Sequence, residues 1–249
     1  MSTLESSEGS AAIPPAKLPL SHFTRFGASS LSVPPTRHLS YPIGIRLAWL
    51  GSKIGLSPNT VSWLAFLVGI ISAVAAGWWI DDSLGGAAVL LVGLQLSYAL
   101  DCADGVTARA TNRCTPFGAL LDKVLDGMVI LLVPMILARG ARLHGWVEPL
   151  HVSALIAIST VPRLALALTN WMKAYETGSV NARNSPDTRQ RTLTQLAARV
   201  IAGILDTPTY SLGIALSWWL GWYVPFAVCF GGFTLLAFAF YLVKSAREM

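Results

Sequence analysis

The stretch GAAVLLVGLQLSYALDCADGVTARATNRCTPFGALLDKVLDGMVILLVPMILA, residues 86–138, holds two apolar runs, 86–110 and 118–138, separated by a short polar turn that contains Pro116. Each run is long enough to cross a hydrocarbon core of about 30 Å as an α-helix rising about 1.5 Å per residue. Four carboxylates interrupt the hairpin: Asp101 and Asp104 end its first arm, and Asp122 and Asp126 begin its second. An acid inside a membrane span is costly, so each marks a functional position by default, with ion pairing as the plain structural alternative.

The rest of the chain supports a membrane reading. Of 249 residues, 53% are apolar and 12% charged, whereas a soluble domain carries about a quarter charged residues. The apolar fraction excludes collagen-like and disordered classes, and three cysteines exclude a disulfide scaffold. Further apolar runs at 61–80, 150–170, 195–219 and 224–243 bring the expected spans to six. Within lipid the backbone must satisfy its own hydrogen bonds, so the predicted fold class is all-α. The expected organisation is a disordered tail over 1–36, rich in Ser, Pro and Ala, an amphipathic helix over 37–55, and a six-helix membrane domain over 56–249. In the amphipathic segment Ile43, Leu47, Leu50 and Ile54 recur at helical spacing, Ser40 is placed to cap, Pro42 suits the first turn and Gly55 the stop. That stripe is too short to span; it fits a helix lying on the membrane surface or one packed against the bundle.

Basic loops stay cytoplasmic. Lys17, Arg25, Arg37, Arg46, Lys53, Arg109, Arg113, Lys173, Arg183, Arg189, Arg191, Lys244 and Arg247 fall on one side of the six-span topology, against Arg139 and Arg142 on the other. Both termini and all four aspartates are thereby expected on the cytoplasmic side. Trp146, Trp171, Trp218, Trp219 and Trp222 near span ends read as interfacial anchors. The first ten residues lack the basic start and apolar stretch of a signal peptide. A bacterial or archaeal plasma membrane is the expected location, with an internal eukaryotic membrane open as an alternative.

Helical spacing groups the acids. With Asp101 at zero and about 100° per residue, Asp104 lies about 60° away, Gly105 about 40°, and Ala108 about 20° on the other side. Gly118, Asp122 and Asp126, four apart, share a face of the next helix. Antiparallel packing would gather four carboxylates beside small residues. They cannot all stay ionised in a low-dielectric site without a counter-charge. His22, His38, His144 and His151 are scattered, and Cys102, Cys114 and Cys229 match no metal spacing and read as packing residues. An all-oxygen donor set favours Mg²⁺ or Mn²⁺, and Mg²⁺ commonly binds with substrate phosphates. Lys123, about 100° from Asp122, is expected to face a neighbouring helix or a second copy.

The order Asp101-x-x-Asp104-Gly105-x-x-Ala108-Arg109, then Gly118-x-x-x-Asp122-x-x-x-Asp126, resembles the defining motif of the CDP-alcohol phosphotransferase family of integral membrane enzymes, with all eight positions matched. The resemblance implies transfer of a substituted phosphoryl group from a CDP-linked donor, foremost CDP-diacylglycerol, to an alcohol with release of CMP. It implies two Mg²⁺ or Mn²⁺ ions on Asp101, Asp104, Asp122 and Asp126, with Asp126 also the candidate general base. Gly105, Ala108 and Gly118 would leave room for the cytidine, and Arg109 would reach a phosphate or pair with an aspartate. Asn59 and Ser62 resemble residues that approach the diphosphate, or else serve as an ordinary helix start after Pro58. Arg163, Lys173 and Arg199 are candidates for an anionic acceptor such as a polyol phosphate or inositol phosphate. Lys173-Ala174-Tyr175-Glu176 partly matches a basic segment of the family's glycerol-phosphate and inositol-phosphate branches but has Tyr175 where an arginine is expected. Asp206, before Thr207-Pro208, would mark a helix break or pair with Arg163 or Arg199. The partners implied are the lipid donor, the alcohol, membrane lipids and a second copy in a homodimer, with no nucleic acid. A membrane prenyltransferase would also use acid-bound Mg²⁺ and a diphosphate, and a cation transporter would also hold intramembrane acids, but neither accounts for the whole motif.

Overall fold

The computed structural model describes residues 15–27, 36–79, 83–176 and 207–248. Among these residues the regular structure is helical throughout, with no strand. Eight α-helices are described: α1 (Leu20–Thr24), α2 (Tyr41–Lys53), α3 (Pro58–Val74), α4 (Ser83–Ala110), α5 (Pro116–Leu143), α6 (Val152–Glu176), α7 (Thr207–Trp219) and α8 (Tyr223–Glu248). Wider π turns at Thr36–Ser40 and Ala75–Trp79 lead into α2 and prolong α3.

Among the described residues four stretches are long and apolar enough to cross a membrane: Pro58–Trp79, Ser83–Ala110, Pro149–Thr169 and Tyr223–Phe240. These correspond to the first, second, fourth and sixth expected spans. The third, α5, has the length but carries Asp122, Lys123 and Asp126 near its start and Arg139 and Arg142 near its end. Of the fifth only the 13 residues of α7 are described, about 20 Å of helix; the remainder, with Arg199 and Asp206, lies outside the described residues.

Chain chemistry sets the helix ends. Ser57 Oγ accepts from the Thr60 N–H at 3.1 Å with Pro58 opening α3, and Thr115 Oγ1 accepts from the Gly118 N–H at 3.0 Å with Pro116 opening α5. Asn112 adopts φ 53° just past α4, and the Arg113 N–H returns to the Ala108 carbonyl at 2.8 Å. This left-handed cap reverses the chain within a few residues. Gly55 stops α2 in the same way, at φ 78°. Ser40 does not cap α2: it sits in helical conformation inside the π turn with no capping bond.

The α4 helix packs against α2, α3 and α7, α5 against α3 and α6, and α6 against α8. Polar bonds fasten the apolar surfaces: Ser97 Oγ donates to the Ala65 carbonyl at 2.7 Å, and Gln95 Nε2 donates to Pro208 O and Ser211 Oγ, each at 2.8 Å. Gly77 and Gly140 let two backbones meet, since a Cβ on Gly140 would lie 2.7 Å from the Gly77 Cα. The main core gathers Leu90, Leu137, Ile214, Trp218 and Tyr223. A smaller core, around Phe23, Ala48, Val61, Val106 and Ala110, lies under the ends of α3 and α4 nearest the aspartates. Val92, Ile71 and Phe240 face outward at 65%, 58% and 73% exposure, as lipid-facing side chains do.

Several expectations change. Trp218 is fully buried, seated against Gly86 and Gly140 and stacked edge-on with Trp146; it is a core residue, while Trp219 and Trp222 are exposed. Cys102 is buried, but Cys114 and Cys229 are exposed. The α2 helix packs on α4 through Gly44 and Ala48, where a Cβ on Gly44 would lie 2.8 Å from the Ala99 carbonyl. Ile43, Leu50 and Ile54 stay exposed while Leu47 packs against the smaller core, so the small-residue face meets the bundle and most of the apolar stripe faces outward. Within the stretch expected to be a tail, Pro15–Lys17 and α1 are helical and Phe23 is buried against α4. Phe23, with Leu18 and Phe26 packed beside it, docks a short segment that its Ser- and Pro-rich surroundings obscure.

Candidate functional site

The turn after α4 leads directly into α5, and both helices pack against α3. Asp101, Asp122 and Asp126 each present a carboxylate oxygen within 4.8 Å of the other two. Carboxylates that close repel by about 3 kcal/mol per pair at an effective dielectric of about 20. The Lys123 ammonium, 2.7 Å from Asp122 Oδ2 and 2.9 Å from Asp126 Oδ2, offsets part of this. With all three ionised, three negative groups against one positive leave two negative charges, which one divalent cation would balance. The donor set is all oxygen, and among the described residues no His or Cys joins it. The arrangement therefore suits Mg²⁺ or Mn²⁺.

Asp104 stands apart from this trio. It is 6% exposed and accepts a 2.5 Å hydrogen bond from Ser62 Oγ on α3. Three of the four expected acids thus converge at one point, and the fourth is held by the neighbouring helix. Asn59, a turn earlier on α3, faces Gly118: a Cβ there would lie 3.2 Å from Asn59 Oδ1 and 3.1 Å from Thr115 Oγ1. Gly118 therefore keeps open the space between the starts of α3 and α5. Gly105 and Ala108 are part-exposed on α4, and the Arg109 guanidinium fills the space beside Gly105, 3.0 Å from where a Cβ would stand. Arg109 Nη2 also donates to the Phe26 carbonyl at 3.2 Å.

The candidate acceptor residues are less gathered. The Arg163 guanidinium lies over the Tyr210 ring at 3.6 Å and near Phe230 at 5.7 Å, a cation–π seat between α6, α7 and α8. Lys173 lies in α6 with its side chain outside the described residues, as is the whole of Arg199.

Two contacts went unforeseen. Lys123 does not face away from the acids, because a flexible four-carbon side chain reaches the carboxylates one residue before and three after it; Lys123 and Asp126 at i, i+3 carried that signal. The Ser62–Asp104 bond joins residues 42 apart, and no local pattern announces it.

The family model for CDP-alcohol phosphatidyltransferase matches residues 56–242, a span that contains every aspartate of the site. A bifunctional IPC transferase and DIPP synthase of Aquifex aeolicus is 39% identical over 95 residues, which are 38% of this chain and 20% of that protein. Cholinephosphotransferase 1 of Xenopus laevis is 28% identical over 115 residues, 42% of this chain and 29% of that one. The chain thus matches less than a third of either relative's length.

Proposed function

Because the chain belongs to the CDP-alcohol phosphatidyltransferase family, we propose that it transfers the phosphatidyl group of CDP-diacylglycerol, or of a similar CDP-alcohol, to the hydroxyl of a second alcohol and releases CMP. The observation that carries this is the convergence of Asp101, Asp122 and Asp126 within 4.8 Å, inside the family-matched stretch and beside the small residues Gly105 and Gly118.

In this proposal Asp101, Asp104, Asp122 and Asp126 hold two divalent ions, Mg²⁺ or Mn²⁺. The ions, when bound, neutralise the diphosphate and the charge developing on the departing CMP. Ser62 fixes the carboxylate of Asp104 by its hydrogen bond. The small residues Gly105, Ala108 and Gly118 leave room for the cytidine and diphosphate, with Asn59 at the rim and the Arg109 guanidinium, which lies beside Gly105, supplying N–H donors to a phosphate oxygen. The acceptor hydroxyl attacks the phosphorus that bears the lipid alcohol, a new P–O bond forms, the P–O bond to CMP breaks, and the hydroxyl proton passes to the Asp126 carboxylate. The donor's acyl chains stay in lipid throughout, which is the reason to build such a site at the edge of a membrane. Six spans, α2 at the membrane surface, the site at the cytoplasmic leaflet and a homodimer complete the proposal.

Acceptor choice rests on Arg163, Lys173 and Arg199, three cations suited to a polyol phosphate or inositol phosphate. The two relatives carry different activity names, so a panel decides. Purified protein with Mg²⁺ or Mn²⁺, CDP-diacylglycerol, and in turn glycerol phosphate, inositol phosphate, inositol and choline is expected to release CMP in step with a new lipid for one acceptor. CMP release from no donor with any acceptor would overturn the proposal.

A further inference from the structure

The N-terminal arm, residues 15–27, lies outside the family-matched stretch, yet it is fastened to the end of the helix that carries Asp101 and Asp104. Three contacts tie it down. Phe23 is fully buried against Ala48, Val61, Ala103, Val106 and Ala110. The His22 ring, through Nε2–H, donates to the Ala110 carbonyl at 2.9 Å, one of the terminal carbonyls that α4 cannot satisfy by itself. The Phe26 carbonyl accepts from Arg109 Nη2 at 3.2 Å, with the guanidinium beside Gly105.

We propose that this arm positions Arg109 for the nucleotide, holding its guanidinium at the opening beside Gly105 before the donor arrives. The inference rests on the reading of that opening as the CDP site. A free arginine side chain samples many rotamers, and a ligand that must order it binds correspondingly less tightly. A guanidinium has five N–H donors, so the bond to Phe26 leaves the group able to grip a phosphate at the same time. The arm therefore acts through Arg109 and touches no reacting atom: His22, Phe23 and Phe26 are positioning residues.

The test is a thermodynamic cycle on CMP affinity and on steady-state kinetics, using the full chain reconstituted with Mg²⁺ or Mn²⁺. His22→Ala and Phe23→Ala each loosen the arm and are expected to raise the Kd of CMP and the KM of the CDP donor by about twofold to tenfold, with kcat changed by less. His22→Gln, which restores an N–H donor toward the Ala110 carbonyl, is expected to recover affinity. In an Arg109→Ala background the same arm substitutions are expected to have no further effect. Unchanged affinity in the His22 and Phe23 variants, or losses that add in full to that of Arg109→Ala, would overturn the inference. A wild-type protein that binds no CMP would instead overturn the underlying site reading.

Discussion

Replacing Ser62 with alanine tests whether the contact between α3 and α4 serves the metal site. Ser62 Oγ is 2.5 Å from Asp104 Oδ2, and the two residues are 7% and 6% exposed. Water therefore has little access to take the hydroxyl's place. A hydrogen bond to a charged group contributes about 1.5–3 kcal/mol, and a buried acceptor left without its donor costs its desolvation as well. At about 1.4 kcal/mol per factor of ten, Ser62→Ala should weaken whatever Asp104 does by about tenfold to a hundredfold. If Asp104 is a metal ligand, the loss appears in the metal dependence: the half-saturating Mg²⁺ or Mn²⁺ concentration for CMP release rises by that factor, and high metal partly restores turnover. The assay is the initial rate of CMP release against metal concentration, with thermal unfolding as a check on integrity. A folded Ser62→Ala protein with turnover and half-saturation within about twofold of wild type would refute the assignment.

Further substitutions probe the other parts. Asp126→Asn keeps the shape but cannot take the acceptor's proton; CMP release should fall by about a hundredfold to ten-thousandfold while CMP binding, measured by calorimetry, persists. Lys123→Met removes a cation that competes for the carboxylates of Asp122 and Asp126. Because these ion pairs are partly exposed, the half-saturating metal concentration should fall only by about twofold to tenfold, read from the same titration. Gly140→Ala would force a Cβ to 2.7 Å from the Gly77 Cα and 3.0 Å from the Trp218 ring, and overpacking of this kind costs about 1–3 kcal/mol. Gly232→Ala meets nothing within 4 Å; unfolding in detergent should separate the two variants clearly.

What could be read from the chain follows the range of the physics. Run length and hydropathy depend on neighbouring residues, so the apolar stretches and their polar turn were visible, as was the sharing of a helix face by Asp122 and Asp126. Contacts between distant residues were not. Asp101 and Asp104 share a face, yet only Asp101 reaches the α5 carboxylates, because Ser62 from another helix takes hold of Asp104. Arg163 is a candidate for an anionic acceptor, but nothing in its own helix tells that the Tyr210 ring from α7 seats its guanidinium. Trp218 near a span end looked like an interfacial anchor until Gly86 and Gly140 opened a seat for it in the core. In each case a partner far along the chain decided the outcome, and angular spacing on a single helix carries no information about it.

The central claim is that the carboxylates on α4 and α5 hold divalent ions for the transfer. The direct measurement is Mn²⁺ binding, followed by electron paramagnetic resonance, to wild type, Asp101→Asn and Asp122→Asn. Wild type should bind Mn²⁺ in step with the appearance of activity, and each variant should lose affinity by tenfold or more along with CMP release. Mn²⁺ affinity unchanged in both variants would contradict the claim.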